Sequence, residues 1–245
     1  MALREELERS GAWLFRYRSY APPLLLIPLV LAGFEVHPDE RAGLEPGPAT
    51  LGAALAAVGL VIRILVIGFA PAGTSGKNRS LQVAESLTTT GLYSVVRHPL
   101  YLGNFFLWIG PAAATGSWWA PVLIALVFWL YHERIILAEE KFLRDRFGAE
   151  FLSWAAVTPA FRPALSRWRP PALPFSLRTV LRQEYYGFFS AVFLFSLLEA
   201  LTVAVETGRP GLSRGWLVGL GAAAVVAGVL RLLQRQTRWL DAPGR

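Results

Sequence analysis

The chain of 245 residues contains no cysteine, one methionine and only three histidines. Without cysteine there is no disulfide framework, no thiolate metal site and no thiol nucleophile. The three histidines, His37, His98 and His132, leave little for a zinc cluster. We therefore expect no metal centre.

Acidic residues are also few, because 17 Asp and Glu stand against 24 Lys and Arg, with a net charge of +7 and a pI near 10.2. Such an excess is typical of a nucleic-acid-binding protein or of a membrane protein with basic loops. Hydrophobic residues make up 54% of the chain. They form six segments near the length of a membrane-spanning helix, of which the third and fourth are short. The segments are 20–36, 51–70, 99–114, 118–131, 187–205 and 215–233.

The basic residues fall almost entirely on one side of these segments. Twenty of the 24 lie before the first segment, between the second and third, between the fourth and fifth, or at the C-terminal end. This positive-inside distribution predicts an all-α polytopic membrane bundle of about six transmembrane helices, with both termini cytoplasmic. It also accounts for the positive charge without a nucleic-acid partner.

We expect one integral membrane domain over residues 1–245, because the sequence has no internal repeat, no long disordered tract and no secretory signal. It would comprise an N-terminal interfacial helix with two spans (1–72), a core with a helical hairpin (73–163), and an interfacial segment with two further spans (164–245). The acidic loop at 37–48 should face outward.

Two stretches have the pattern of helices that lie on the membrane surface. In residues 1–19, aromatic side chains alternate with arginines. In residues 176–186, apolar residues recur on one side of a predicted helix, and arginines lie on the other. These apolar residues are Leu177, Val180, Leu181 and Tyr185.

Arg63 lies inside the second span, where an unpaired charge costs about 2.5–3.5 kcal/mol on insertion scales. It should therefore face the bundle or a wet cavity. Two roles remain open: an ion pair with Glu199, which lies in a later span, or binding of an anionic lipid head group. Asn104, one turn into the third span, could bond within the bundle or line the path of a substrate. Arg63 and Asn104 are thus candidate substrate-binding residues.

The stretch GLYSVVRHPLYLG at 91–103 places several polar side chains at the start of the third span, and Glu139-Glu140 begins 36 residues after its end. Pro99 suits the first turn of a helix and favours an extended His98 before it. The connection at 115–117 predicts a tight helical hairpin, followed by a helix of about 30 residues that ends at a glycine cap. The hairpin should bring the two glutamates back to the level of His98.

Three segments, TTTGLYSVVRHPLYLGN (88–104), AEEKFLRDRFGAEFLSW (138–154) and TPAFRP (158–163), resemble the catalytic core of one family. It is the isoprenylcysteine carboxyl methyltransferase and phospholipid methyltransferase family of integral membrane enzymes. Sterol and steroid reductases carry a related Arg-His-x-Asn-Tyr-x-Gly element. Leu100 and Asn104 replace their usual Asn and acid, which favours methyl transfer over reduction.

The resemblance implies S-adenosyl-L-methionine as cofactor and an acceptor that enters from the bilayer. Such a methyl donor needs carboxylates for its hydroxyl or amino groups, a cation or backbone donor for its carboxylate, and aromatic walls near its sulfonium. Arg97, Glu139 and Glu140 are the candidate catalytic residues. The candidate cofactor-binding residues are Tyr93, Arg97, His98, Tyr101, Leu102, Gly103, Glu139 and Glu140. The chain departs from its relatives at Phe151 and Trp154, where tyrosines are usual.

Most of these residues also have an ordinary structural explanation. Glu140 lies four residues before Arg144 and could form a helix-surface ion pair. His98 could cap a helix at the interface, and the tyrosines could belong to an aromatic belt. Arg97 could instead bind the acceptor or lipid phosphates. Their joint occurrence at the family spacing favours the cofactor site.

The leading hypothesis is S-adenosylmethionine-dependent methyl transfer to a lipid or prenylated acceptor at the cytoplasmic membrane face. The acceptor group could be a carboxylate, a phosphate or an amine. The alternative enzyme is an NADPH-dependent reductase of sterol or enone type. A non-enzymatic membrane protein is the third possibility, but it leaves the clustered charges unexplained.

Overall fold

The computed structural model describes residues 3–17, 22–35, 47–71, 84–242 and 244. Within those ranges the chain is a bundle of α-helices without a β-strand, and the one isolated β-bridge joins Gly91 to Arg169. The predicted all-α membrane bundle is confirmed. The predicted outward loop at 37–48 lies mostly outside the described residues.

Eight α-helices make up the described part of the chain. They are α1 (Leu3–Arg16), α2 (Leu26–Glu35), α3 (Pro48–Phe69), α4 (Pro99–Ala114), α5 (Trp119–Phe147), α6 (Ala149–Val157), α7 (Leu177–Thr207) and α8 (Arg214–Gln236). Single 3₁₀ turns precede α2, at Pro22–Leu25, and α4, at Leu92–Ser94, and a third lies at Leu165–Arg167.

Four of the described helices, α3, α5, α7 and α8, are long and apolar enough to cross a membrane. They coincide with four of the six predicted spans. The other two predicted spans are shorter: α4 has 16 residues, and α2 has 10 after a four-residue 3₁₀ turn. The chain is therefore a membrane protein.

Helices α3 and α4 approach so closely that their backbones touch. A Cβ atom at Gly59 would lie 2.7 Å from the carbonyl oxygen of Gly103, and one at Gly110 would lie 2.6 Å from that of Gly52. Small residues are what permit such contact between helices in a membrane, where packing rather than hydrophobic burial drives association. This contact fixes α3 beside the start of α4.

The predicted hairpin between α4 and α5 is confirmed. The connection turns at Gly116, whose φ of 79° is accessible to glycine at little cost. Helix α5 then runs for 29 residues, or ~44 Å at 1.5 Å per residue. It ends at the predicted cap, Gly148, whose N–H donates to the carbonyl of Arg144 at 2.9 Å.

Helix α1 packs along the second half of α5. At Gly11 the two backbones are in contact, because an added Cβ would overlap with the carbonyl group of Arg134. Phe15, one turn further on, is buried. The polar second half of α5 is therefore covered on one side by α1.

The prediction of a separate surface helix at 176–186 is wrong, because these residues form the first turns of α7. Ser176 caps α7 by accepting from the N–H of Thr179, and the Ser176 N–H donates to the carbonyl of Gly68 at 2.8 Å. The helix continues through Gly187, where a side chain would overlap with the Glu184 carboxylate. A glycine inside the helix thus makes room for a buried acid.

Replacing Gly52 with Ala should destabilise the protein, because the added methyl group would overlap with the Gly110 carbonyl oxygen. Overpacking of this kind costs about 1–3 kcal/mol, which outweighs a gain of about 1 kcal/mol in helix propensity. Thermal unfolding in detergent measures the effect. The matched control is Gly219→Ala in α8, where nothing lies within 4 Å of the added Cβ. Equal melting temperatures for the two variants would contradict the close contact.

Candidate functional site

The loop before α4 is held by backbone hydrogen bonds to the segment after α6. The N–H of Arg97 donates to the carbonyl of Pro159 at 2.9 Å, and the N–H of Ala164 donates to that of Val95 at 2.9 Å. Helix α4 begins at Pro99, as predicted, and His98 is the non-helical residue before it. These bonds fix Arg97 and His98 at the entrance to α4.

Glu140 of α5 meets both of these residues, as the hairpin predicted. Its Oε1 lies 2.8 Å from Arg97 Nε and 3.0 Å from His98 Nε2. Arg97 Nη1 also donates to the carbonyls of Ala155 at 2.8 Å and Thr158 at 3.0 Å. Arg97 thereby ties α5 to the C-terminal end of α6. The alternative explanation of Glu140 as a partner of Arg144 is wrong.

Glu139 faces a different neighbour. Tyr101 donates from its hydroxyl group to Glu139 Oε1 at 2.9 Å, and His98 Nδ1 lies 3.7 Å from Glu139 Oε2. The rings of His98 and Tyr101 are stacked, with centroids 5.8 Å apart. The side chain of Glu139 is 26% exposed and that of Glu140 is 18% exposed. Of the two carboxylates, Glu139 is the more open.

Tyr93 lies in the 3₁₀ turn before α4. Its backbone carbonyl accepts a hydrogen bond from Trp154 Nε1 at 3.1 Å. Trp154, at a position where relatives usually have tyrosine, thus binds the loop before α4 to α6. Burial raises the pKa of the Tyr93 phenol above its ordinary value, and the negative charge of Glu139 adds to the rise. The phenol therefore stays neutral at physiological pH and retains its proton for a hydrogen bond.

Arg63 forms a second polar cluster inside the bundle with Glu184 of α7 and Asn104 of α4. Arg63 Nε and Nη2 donate to the two oxygens of Glu184 at 2.6 and 2.7 Å, and Nη1 donates to Asn104 Oδ1. The expectation that Arg63 pairs with Glu199 is wrong. The paired geometry offsets the cost of the charge in the membrane, since both carboxylate oxygens are engaged.

The sequence contained a signal for Glu184 that the surface-helix interpretation concealed. Glu184 lies seven residues after Leu177 and four after Val180, and it therefore lies on the apolar side of that helix. An acid on an apolar helix face requires a partner when the face is buried. Glu184 is 3% exposed and Arg63 is that partner.

The remaining predicted residues divide between the two clusters. Gly103 lies beside Arg63, because a Cβ at Gly103 would be 2.6 Å from Arg63 Cγ. Leu102 lies in the first turn of α4, where its N–H donates to the carbonyl of His98 at 3.2 Å. Tyr101 and Asn104 are three residues apart on α4, so the two clusters adjoin on one helix face.

His132 is a neighbour of this site that sequence reasoning did not select. Its ring lies 4.9 Å from that of Tyr101, in an edge-to-face arrangement. His132 precedes Glu139 by seven residues, which places both on the same face of α5. The seven-residue spacing from Glu139 is the sequence pattern that could have identified His132 as a site residue.

An open cleft of about 370 Å³ is lined by residues of the loop before α4, of α6 and of the segment that follows α6. It adjoins the candidate site through Ser94 and Thr158, but none of the predicted cofactor-binding residues lines it. The lining residues are Thr89, Ser94, Glu150, Ser153, Trp154, Val157, Thr158, Arg167 and Arg169.

Comparison with known proteins shows which family the middle of the chain resembles. The sequence profile of the phospholipid methyltransferase family matches residues 48–150, which include α3, α4, α5 and the Arg97–Glu140 contact. The predicted resemblance to integral membrane methyltransferases is confirmed over this part of the chain. No solved structure matches the chain.

Three curated relatives illustrate the range of similar proteins. The cobalt-zinc-cadmium resistance protein CzcN of Cupriavidus metallidurans is 38% identical over 119 residues, which are 49% of each chain. The protein-S-isoprenylcysteine O-methyltransferase of Schizosaccharomyces pombe is 34% identical over 80 residues, or 32% of this chain and 34% of the relative. That of Saccharomyces cerevisiae is 37% identical over 68 residues, or 28% of each.

The matched region spans about half the length of CzcN and about a third of the two yeast enzymes. In the part of the chain that the structure describes, no group of three or more His, Asp or Glu side chains could hold a metal ion.

Replacing Glu184 with Gln should lower the free energy of unfolding by an amount on the order of 3 kcal/mol, because it leaves the Arg63 charge buried without its counter-charge. Glu199→Gln, in the same helix, is the matched control and should change stability little. Thermal or denaturant unfolding in detergent gives both values. Equal losses in the two variants would contradict the pairing.

Proposed function

We propose that this chain transfers a methyl group from S-adenosyl-L-methionine to a lipid or prenylated acceptor at the cytoplasmic membrane face. The observation that carries the proposal is the convergence of Tyr101–Glu139 and Arg97–Glu140 within the segment that matches the phospholipid methyltransferase family. The names of the yeast relatives support methyl transfer as the reaction.

The residues at the entrance to α4 fit the chemistry of this methyl donor. Glu139 offers an open carboxylate that can accept from a ribose hydroxyl or an ammonium group. The stacked rings of His98 and Tyr101 supply an aromatic wall, which suits a sulfonium cation. The neutral phenol of Tyr93 can donate to an anionic or carbonyl group. We assign donor binding to this group of side chains.

Arg97 and Glu140 have a positioning role in this proposal. Their groups already bond to each other and to the end of α6, so most of their hydrogen-bonding capacity is used inside the protein. They hold His98 beside Glu139 and keep the loop against α5. Glu139 is the carboxylate that we expect to contact the donor.

The reaction would need no covalent enzyme intermediate, since methyl transfer is an in-line displacement at carbon. The bound donor supplies an electrophilic methyl group. The protein contributes alignment of the acceptor and exclusion of water, which together account for a large part of the rate in such reactions. A site at the end of a membrane helix suits both tasks, because one side of it is already apolar.

The acceptor end of the site is assigned to the cluster around Arg63. Asn104 lies almost one turn further along α4 than Tyr101 and bonds to Arg63 of α3. The Arg63 side chain retains 19% exposure despite its bonds to Glu184. A paired arginine and glutamate can take up either an anionic or a cationic head group by sharing hydrogen bonds. The Arg63–Glu184 pair therefore supports a polar lipid head group as the acceptor. The methylated group could be a carboxylate, a phosphate or an amine.

The Glu139→Gln variant should bind the methyl donor about ten- to a hundred-fold more weakly, because a hydrogen bond to a charged group contributes about 1.5–3 kcal/mol. Glu140→Gln should mainly lower thermal stability, since it weakens the bonds from Arg97 and His98. The two positions differ because adjacent helical residues point about 100° apart. Calorimetry in detergent with S-adenosylmethionine and its demethylated product measures the affinities.

The control for this pair is Glu206→Gln, an exposed acid at the far end of α7. Near-wild-type donor affinity in both the Glu139 and Glu140 variants would overturn the site. Tight NADPH binding by the wild-type protein, without binding of the methyl donor, would overturn the proposed function in favour of a reductase.

The cytoplasmic placement and the six crossings, with α2 and α4 as the short spans, are part of the same proposal. Both rest on the basic residues in and just after α1, before α4, from the second half of α5 to the first turns of α7, and at the end of α8. Cysteines introduced at Gly208 and at Ala149 should label from opposite sides of the membrane, because α7 lies between them. The native chain has no cysteine, so each label is unambiguous. Labelling of both positions from the cytoplasm would contradict the topology.

A further inference from the structure

His132 is a buried histidine in the middle of α5, with 8% of its surface exposed. Its ring stacks on Phe128 at 3.7 Å between centroids, and the rings of Tyr131 and Tyr101 lie edge-on at 5.0 and 4.9 Å. Three aromatic rings therefore enclose the imidazole. The position is unusual for a polar side chain, since burial of a polar group is costly unless it is bonded.

The hydrogen bonding of His132 defines which nitrogen carries the proton. Nδ1 lies 2.9 Å from the carbonyl oxygen of Phe128, and a carbonyl can only accept, so Nδ1 is the donor. In the neutral imidazole with its proton on Nδ1, Nε2 carries a lone pair.

Nε2 is available to a ligand. Within the described residues, His132 has no hydrogen bond other than that to Phe128. Packing does not bury Nε2 completely, so the atom remains accessible. The Nε2 lone pair can therefore accept a hydrogen bond or a proton from a ligand.

Tyr101 connects His132 to the proposed donor site. Its hydroxyl group donates to Glu139, and its ring contacts His132. Along α5, the seven residues between His132 and Glu139 correspond to about 10.5 Å. His132 thus lies on the side of Tyr101 that leads from the carboxylates into the apolar part of the bundle, where an acceptor from the bilayer would arrive.

We propose that His132 Nε2 is the general base for an acceptor that carries a proton on its nucleophilic atom, an amine or a hydroxyl group. This rests on the proposed function. The acceptor nitrogen or oxygen forms a bond to the methyl carbon while the methyl–sulfur bond breaks and its electron pair stays on sulfur. The acceptor proton passes to Nε2 and then to water.

The proposal narrows the acceptor class because the other candidates need no base. Carboxylates and phosphates are already ionised at neutral pH and attack with a lone pair directly. An ammonium group has no lone pair until it loses a proton, and a neutral amine or hydroxyl group becomes acidic as the new bond forms. Only an amine or a hydroxyl acceptor would therefore use the His132 imidazole as a base.

The test uses the full chain in proteoliposomes of total lipid extract with tritiated S-adenosylmethionine. The labelled lipid is treated with alkali, which releases a methyl ester as volatile methanol. Acid hydrolysis and chromatography then separate methylated amines and ethers from methyl phosphates. We expect the wild-type label in the amine or ether fraction.

The His132→Asn variant keeps a donor near Nδ1 for the Phe128 carbonyl but removes Nε2. We expect its turnover to fall at least about a hundred-fold, the usual contribution of a general base, while donor affinity by calorimetry stays within about two-fold. Glu133→Gln, the neighbouring residue on the same turn, is the matched control and should retain turnover.

Label recovered as methanol or methyl phosphate overturns the proposal, and this result needs no variant. Undiminished turnover in His132→Asn overturns it as well, and so does a wild-type protein that binds the donor but yields no alkali-stable methylated amine or ether. Failure of the proposed function is distinguishable, because the wild-type protein would then bind no methyl donor at all.

Discussion

The Arg97 guanidinium holds together the parts of the chain that build the site. It bonds to Glu140 of α5 and to two carbonyls at the end of α6, and its own backbone leads directly into α4. Charged donors on carboxylate and carbonyl oxygens form stronger bonds than neutral pairs, and here one side chain makes three. The orientation of His98 and Glu139 depends on this contact, because they are the chain neighbours of Arg97 and Glu140. Tyr101 depends on it through its hydrogen bond to Glu139.

Helix α4 is the wall that both polar clusters share. On one side its backbone touches α3, and this contact places Arg63 against Gly103 and Asn104. On another side Tyr101 faces α5. A helix with bulkier residues at the glycine positions would stand further from α3, and the Arg63 side chain would lose its reach to Asn104. The close packing is thus a condition for the geometry of the polar groups.

The polar clusters were predictable from sequence to different degrees. The approach of His98 and Tyr101 to Glu139 and Glu140 followed from one proline, a three-residue hairpin and the length of α5, all local features. The partner of Arg63 did not, because hydropathy favoured Glu199 in the centre of a span, whereas the rotation and crossing of α7 select Glu184. Helix rotation is a tertiary property, and a single sequence shows only which residues share a face. His132 was overlooked although its seven-residue spacing from Glu139 shows in the sequence that the two share a face of α5.

The length of α5 without interruption has a consequence for how the site can evolve. Phe128, His132, Glu139 and Glu140 all project from one continuous helix, so their separations are whole numbers of 1.5 Å steps and 100° rotations. Inserting one residue between His132 and Glu139 would swing both glutamates by a quarter-turn or more away from Tyr101 and Arg97. Substitutions can tune this segment, but insertions and deletions cannot be absorbed there, so lineages of such proteins should vary in length at their connections instead.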